Sequence, residues 1–236
     1  MLELEKIDTY RGQARICCQV SLTVGDKEAV CLVGRNGAGK TTTIDSIIGL
    51  LPLRAGKITF QGNEISRLPA YRRARLGIGY APEDSGLFPD LTVAENFQIC
   101  RLLAEKSGRA AHAAESEDRV FTIFPEVKAL LQRTGLHLSG GQKKMVAIAR
   151  AMMLSPIILL LDEPFEGLAP VVVTRLIEAV RKIKEMKISL LIAESNLANA
   201  SRVADRLYAI DRGEIIYQGD PRLVVENQEV MKTIRG

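Results

Sequence analysis

Histidine is scarce in this 236-residue chain, and cysteine is not arranged for metal. His112 and His137 are the two histidines. Neither has a cysteine or a second histidine near it, so no histidine-centred metal site is expected and both are read as surface residues. The four cysteines, Cys17, Cys18, Cys31 and Cys100, lack metal-ligand spacing. They are expected to be reduced and buried, with adjacent Cys17 and Cys18 pointing to opposite faces of a strand. No apolar run approaches the ~20 residues a membrane helix needs. The opening "MLELEKIDTY" carries acidic residues where a signal peptide would start basic. The chain is therefore expected to stay in the cytoplasm. Neither sign of charge dominates: 32 Lys and Arg against 28 Asp and Glu leave +4, which suits an anionic ligand or a lipid surface but is too weak to imply nucleic acid.

Long linkers, low-complexity tracts and internal repeats are also missing, and 47% hydrophobic content supports one large buried core. "RICCQVSLTV" places Ile16, Cys18, Val20, Leu22 and Val24 in alternation, the pattern of a half-buried antiparallel strand. "KITFQGNEI", Lys57 to Ile65, reads as a second strand leading into a Gly-Asn turn. "EAVCLVG" from Glu28 and "PIILLLDEP" from Pro156 are continuous apolar runs, typical of parallel strands covered on both faces. Residues 93 to 154 read mostly as helix. The last third alternates: helix 171–187, strand 188–193, helix 197–205, strand 207–210 and strand 214–217. The expected fold is α/β, a mixed core with a helical insert.

"GRNGAGKTT", Gly34 to Thr42, follows the first buried strand and opens a helix. Its glycines let backbone N–H groups converge on phosphate, and the helix presents its positive end. Lys40 would neutralise the outer phosphates and the Thr41 hydroxyl would hold Mg²⁺. The metal needs a carboxylate at a neighbouring strand end, and "IILLLDEP" supplies Asp162. Glu163, next along, can turn toward an attacking water. In "LSGGQKKMVAIARAMM", Met145, Ile148, Ala149 and Met152 share a helical face behind a Ser139 cap. This second anion-binding helix end either faces a phosphate bound to another subunit or is a cap with no ligand. "LLIAESNLANA", Leu190 to Ala200, raises a similar choice, since a buried strand opening onto Glu194, Ser195 and Asn196 is either a helix cap or part of a site.

Gly34 to Thr42, then "LSGGQ" at Leu138 to Gln142, then "LLLDEP" at Leu159 to Pro164, resembles in order and spacing the nucleotide-binding subunits of ATP-binding-cassette transporters, across essentially the whole chain. The resemblance implies a P-loop NTPase with a RecA-like core, an antiparallel β subdomain and a helical subdomain inserted at approximately 84–154, all within a single nucleotide-binding domain, 1–236. It implies a Mg²⁺-dependent ATPase in which two subunits close head to tail around two ATP molecules. Gly34, Arg35, Asn36, Gly37, Ala38, Gly39, Lys40, Thr41 and Thr42 would then cradle the nucleotide. Leu138, Ser139, Gly140, Gly141 and Gln142 would cap the partner's. Tyr10 sits where an aromatic stacks on adenine. Glu83 stands where a glutamine usually joins the metal to the membrane subunit, giving Thr41, Glu83 and Asp162 as the metal group. Ser195 aligns with the histidine that touches the γ-phosphate, so Glu163 and Ser195 are the catalytic pair, with Glu163 carrying most of the water activation.

"GIGYAPEDSGLFPDLTVAENF", "EPFEGLAP", with Ala169 where an aspartate is usual, and "ESN" resemble the ATP-binding subunits of branched-chain amino-acid importers. Urea and short-amide importers look similar, and a regulatory or non-transport cassette protein with weak hydrolysis is the alternative. Implied partners are transmembrane permease subunits, a second ATP-binding subunit and, indirectly, a substrate-binding protein, at the cytoplasmic membrane face. The basic stretch Arg72, Arg73 and Arg75 is either close to the membrane subunit or a solvated face. Without an Asn-Lys-x-Asp motif a GTPase is not expected. Repair cassettes carry long coiled-coil inserts and ribosome-associated ones carry two cassettes, neither of which fits this length.

Overall fold

The computed structural model describes residues 1–106 and 110–235, apart from the side chains of 104–106, 110–114, 229 and 235. Strands β1 (Leu2–Arg11) and β2 (Ala14–Val24) come first, then β3 (Ala29–Val33) and α1 (Lys40–Ile48). Next come β4 (Leu53–Phe60), β5 (Asn63–Glu64), α2 (Ala70–Arg75) and β6 (Ile78–Ala81). Four helices follow: α3 (Val93–Lys106), α4 (Ala110–Ile123), α5 (Pro125–Lys128) and α6 (Gly140–Met152). The remainder is β7 (Ile158–Asp162), α7 (Pro170–Glu185), β8 (Ser189–Glu194), α8 (Leu197–Ser201), β9 (Arg206–Asp211), β10 (Glu214–Gly219) and α9 (Gln228–Arg235).

The continuous apolar runs form the centre of one sheet, ordered β10-β9-β3-β8-β7-β6. It is parallel from β9 to β6, with β10 antiparallel at the edge. Every residue of β3, β7 and β8 is buried. One face packs Val30, Leu32, Leu191 and Ala193 against Ile44 and Ile47 of α1 and against β1 and β2. The opposite face packs Cys31, Leu161 and Ile192 against α6 and α7. Each fully buried Leu or Ile here contributes roughly 1.5–3 kcal/mol, so the strand ends are held rigidly by the layers on both sides. Those ends carry the candidate site.

The second sheet, β2-β1-β4-β5, is antiparallel. Its alternation departs from expectation at one residue. Gln19 has φ 52°, and its N–H is held 2.8 Å from Asp8 Oδ1. The register with β1 slips between Ile7 and Thr9. This bulge switches the faces, so Val20, Leu22 and Val24 point inward together with Cys17, while Ile16 and Cys18 are only half-buried. The expected single face of Ile16 through Val24 is thus broken. Cys17, Cys31 and Cys100 are buried as expected, whereas Cys18 is not, and all four are free thiols. The hairpin after β4 turns on Gln61 and Gly62 rather than on Gly62 and Asn63. Both have positive φ, 51° and 79°, which is the two-residue turn that matches strand twist, and Phe60 pairs with Asn63 across it.

The basic stretch is not one face. Arg72 and Arg75 are exposed but Arg73 is 2% exposed, donating from Nε to Leu68 O and from Nη1 to Ser46 O and Ile47 O. It caps the carbonyl end of α1, where a cation also suits the helix dipole. His137 is exposed, as expected; the side chain of His112 lies outside the described residues. Among the described residues, no helix is long and apolar enough to cross a membrane.

Candidate functional site

The turn from β3 into α1 is shaped by glycine. A Cβ on Gly34 would lie 2.3 Å from Ile210 O, and Gly37 and Gly39 have φ 83° and 111°. The loop therefore packs closely on β9 and leads into the α1 terminus, where the helix dipole favours an anion; within it, Ala38 N donates to Arg35 O at 3.1 Å. An open cleft of about 430 Å³ lies over it, walled by Arg11, Ile16, Asn36, Gly37, Gly39, Lys40, Thr41, Thr42, Glu83, Glu163 and Glu166.

Lys40 folds back across the loop. Its Nζ donates to Gly34 O at 2.8 Å and Arg35 O at 3.1 Å, and it stands 3.0 Å from Glu163 Oε1. The last contact is ionic without an aligned hydrogen bond, since Glu163 Oε1 has no hydrogen-bond partner. Glu163 leaves the end of β7 with φ 46°, an uncommon conformation for a residue with a side chain. Its other oxygen, Oε2, accepts from Ser195 N at 3.1 Å and Ser195 Oγ at 3.2 Å. Of the two readings left open by the sequence, the helix cap is present, and the triplet also reaches Glu163. Ser195 holds the Glu163 carboxylate, and the Asn196 side chain caps α8 by accepting from Asn199 N at 3.1 Å. Glu194 is the buried last residue of β8, one position beyond the expected strand end.

Asp162 is 1% exposed; its Oδ1 accepts from Thr41 Oγ1 at 3.2 Å and its Oδ2 has no partner. Burial raises its pKa to about 6, with the Thr41 hydrogen bond opposing and the Glu163 charge adding to the rise. Glu194 Oε1 accepts from Asn196 N at 2.9 Å and Oε2 has no partner. Burial raises Glu194 to about 7.

Of the remaining residues expected at the site, Glu83 lines the cleft, and Arg35 and Ala38 complete the loop without lining it. Tyr10 does not line the cleft; the Arg54 guanidinium lies 5.9 Å over its ring. Ser139 caps α6, with Gln142 N donating to Ser139 Oγ and Ser139 N donating to Gln142 Oε1. Gly141 lets α6 close on α7, since a Cβ there would meet Val172 Cγ1 at 2.7 Å, while a Cβ on Gly140 would make only an ordinary contact with Leu168 Cδ2 at 3.9 Å. Leu138 is buried, and none of Leu138, Ser139, Gly140, Gly141 or Gln142 lines the cleft. The two glycine-rich helix ends thus belong to different surfaces of the chain. Lys144 is a further residue beside the cleft that no sequence motif marks. Its Nζ donates to Glu83 O at 2.8 Å and Glu163 O at 2.6 Å, tying α6 to both loops. Only its i+5 place after Ser139 could have drawn attention to it.

The fold and loop define a P-loop NTPase cassette with an antiparallel sheet and a helical segment beside its core. The ABC transporter family model matches residues 17–166. The lipopolysaccharide export system ATP-binding protein LptB of Escherichia coli (strain K12) is 34% identical over 96% of this chain and 93% of its own length. The high-affinity branched-chain amino acid transport ATP-binding protein BraG of Pseudomonas aeruginosa is 32% identical over 100% of both chains. The ADP conformation of MJ1267, an ATP-binding cassette of an ABC transporter, superposes with a TM-score of 0.87 at 27% identity, over 100% of this chain and 98% of that one. The chain belongs to the ABC transporter family, as an ATP-binding cassette. Binding ATP and hydrolysing it to drive transport is the general function of these proteins, which work with transmembrane permease subunits and dimerise.

Proposed function

We propose that this chain is the ATP-binding subunit of an importer for a small solute, with branched-chain or hydrophobic amino acids as the substrate class. The observation that carries the ATPase reading is the convergence of Lys40, Thr41 and Glu163 on one cleft, with Asp162 joined to it through its hydrogen bond from Thr41. Lys40 neutralises the outer phosphates, and the backbone from Gly34 to Thr42 cradles them. Glu163, oriented by Ser195, takes the proton of the attacking water. Tyr10 stacks on adenine. The whole chain acts as one nucleotide-binding domain with its helical part inserted at approximately 84–154.

The residues present fit Mg²⁺. Thr41, Glu83 and Asp162 are hard oxygen donors, and Asp162 Oδ2 is a buried acceptor without a partner. No cluster of three His, Cys, Asp or Glu that could hold a metal occurs among the described residues, so phosphate and water oxygens must complete the coordination. When bound, the ion neutralises charge developing on the phosphates.

Leu138 to Gln142, which do not line this cleft, serve the nucleotide of a second ATP-binding subunit, identical or paralogous, in a head-to-tail pair. The pair sits at the cytoplasmic face of the membrane on permease subunits, which receive solute from a substrate-binding protein. Support for the amino-acid class comes from BraG, similar over its whole length, and from Glu83 and the loop Gly167 to Pro170. A second reading, export of a lipid, is favoured by LptB from Escherichia coli and Haemophilus influenzae, at 34% and 36% identity. Co-purification from membranes with identification of the bound subunits, followed by labelled leucine uptake in a strain lacking the chain, tests both. Loss of uptake supports the importer. Intact uptake with permease subunits that bind lipopolysaccharide overturns it.

A further inference from the structure

We infer that Arg11 is a second phosphate-binding cation of the ATP site, contacting the part of the phosphate chain nearest the ribose. This rests on the ATPase reading above and adds a residue to it. Arg11 ends β1, next to Tyr10, and its side chain crosses to the first two turns of α1. Nε donates to Thr42 Oγ1 at 3.1 Å and Nη2 to Asp45 Oδ2 at 2.5 Å. A guanidinium has five N–H donors in a rigid fork, and Nη1 makes no hydrogen bond among the described residues. Those donors remain while the fork is held in place on the wall of the phosphate-loop cleft.

Charge gives the contact its weight. Five charged residues line the cleft: Arg11 and Lys40 against Glu83, Glu163 and Glu166. Both cations are paired, Lys40 with Glu163 and Arg11 with Asp45, but Arg11 keeps Nη1 without a hydrogen bond among the described residues and sits at the exposed edge of the lining. A polyphosphate entering a cleft whose lining is net negative needs that second cation. Depth assigns the position. The Arg11 side chain is 49% exposed, at the mouth, while those of Lys40 and Glu163 are 4% exposed, at the floor. The terminal phosphate reaches the floor, so the phosphate beside Arg11 is one that ATP and ADP share. Asp45 is the anchor: burial raises its pKa, with the Arg11 charge opposing the rise, and it keeps the guanidinium beside Thr42.

The test is titration calorimetry of the full chain with Mg-ATP and with Mg-ADP. Arg11→Gln is expected to weaken both nucleotides about tenfold, by the same factor, and Arg11→Lys to stay within about threefold of wild type. Asp45→Asn, which loosens the anchor but keeps the Arg11 charge, is expected to weaken both nucleotides by about threefold or less, a smaller loss than in Arg11→Gln. The double variant Arg11→Gln with Asp45→Asn is expected to remain about tenfold weak. Arg11→Gln within twofold of wild type overturns the inference, and so does full recovery in the double variant, which would mean that Arg11 only neutralises Asp45. A loss confined to ATP would overturn the placement near the ribose. If Arg11→Gln does not fold, Arg11→Met and the salt dependence of wild-type binding decide, with salt-insensitive affinity counting against a second cation. A wild-type chain that binds no ATP, or a Lys40→Ala chain that binds it normally, would instead refute the ATPase reading itself.

Discussion

Lys40 Nζ lies 3.0 Å from Glu163 Oε1, and both side chains are 4% exposed. The phosphate-loop cation and the strand-end carboxylate therefore neutralise each other across the floor of the cleft. On the proposed reading, phosphate draws Lys40 away from that carboxylate and leaves Glu163 held by Ser195 and free to face water. Removing the carboxylate charge should remove a competitor for Lys40. Glu163→Gln is expected to bind Mg-ATP as well as wild type or up to tenfold more tightly, whereas Lys40→Ala should abolish binding, as read by titration calorimetry. Equal losses in the two variants would contradict the roles given to them.

The Ser139 end of α6 is capped and lies outside the cleft of its own chain. Ser139→Arg should leave the ATP affinity of the isolated subunit within twofold and stop turnover in the assembled transporter. A large loss of affinity in the isolated subunit would place α6 in its own chain's site.

Ser195 donates through both N and Oγ to Glu163 Oε2, and the N–H contact survives any side-chain change. Ser195→Ala should therefore cost less than about tenfold in steady-state ATPase rate, since a neutral hydroxyl bond is worth ~0.5–1.5 kcal/mol. Ser195→His is expected to be tolerated. A thousandfold fall in Ser195→Ala would make the hydroxyl a principal catalytic group.

Glu194 carries a stability prediction. Burial lifts its pKa from 4.5 to about 7, so the folded chain holds a proton that the unfolded chain releases above pH 4.5. Its contribution to stability is fully present below pH 4.5 and is lost as pH rises through about 7. A permanently neutral replacement should be stabilising on the alkaline side only. Glu194→Gln is expected to raise the melting temperature at pH 8, by the equivalent of about 1–3 kcal/mol, with little change at pH 4.5. A uniform shift at both pH values would mean that lost packing or hydrogen bonding outweighs the charge.

The legible parts of the sequence were those in which one physical requirement dominates several consecutive residues. Fully buried strands showed as "VCLV" and "ILLL", and the phosphate loop showed because Gly34, Gly37 and Gly39 stand where a side chain would clash or φ is positive. Single-residue events were not legible. The Gln19 bulge moved Cys17 inward and Cys18 outward, although the local pattern continued unbroken. Arg73 looked like its neighbours Arg72 and Arg75, because the carbonyls that satisfy it come from Ser46, Ile47, Ser66 and Leu68, up to 27 positions away. Arg11 and Lys144 were missed for the same reason. Their partners, Asp45 for one and the carbonyls of Glu83 and Glu163 for the other, are brought near only by the packing of whole elements.

The most direct test of ATP hydrolysis at this cleft is a single-turnover assay of the assembled transporter with labelled ATP, comparing wild type with Glu163→Gln. Wild type is expected to convert bound ATP to ADP. Glu163→Gln should retain ATP at least a hundredfold longer, in a paired form that gel filtration resolves. ATP consumed at the wild-type rate by Glu163→Gln would show that the carboxylate beside Lys40 is not the base.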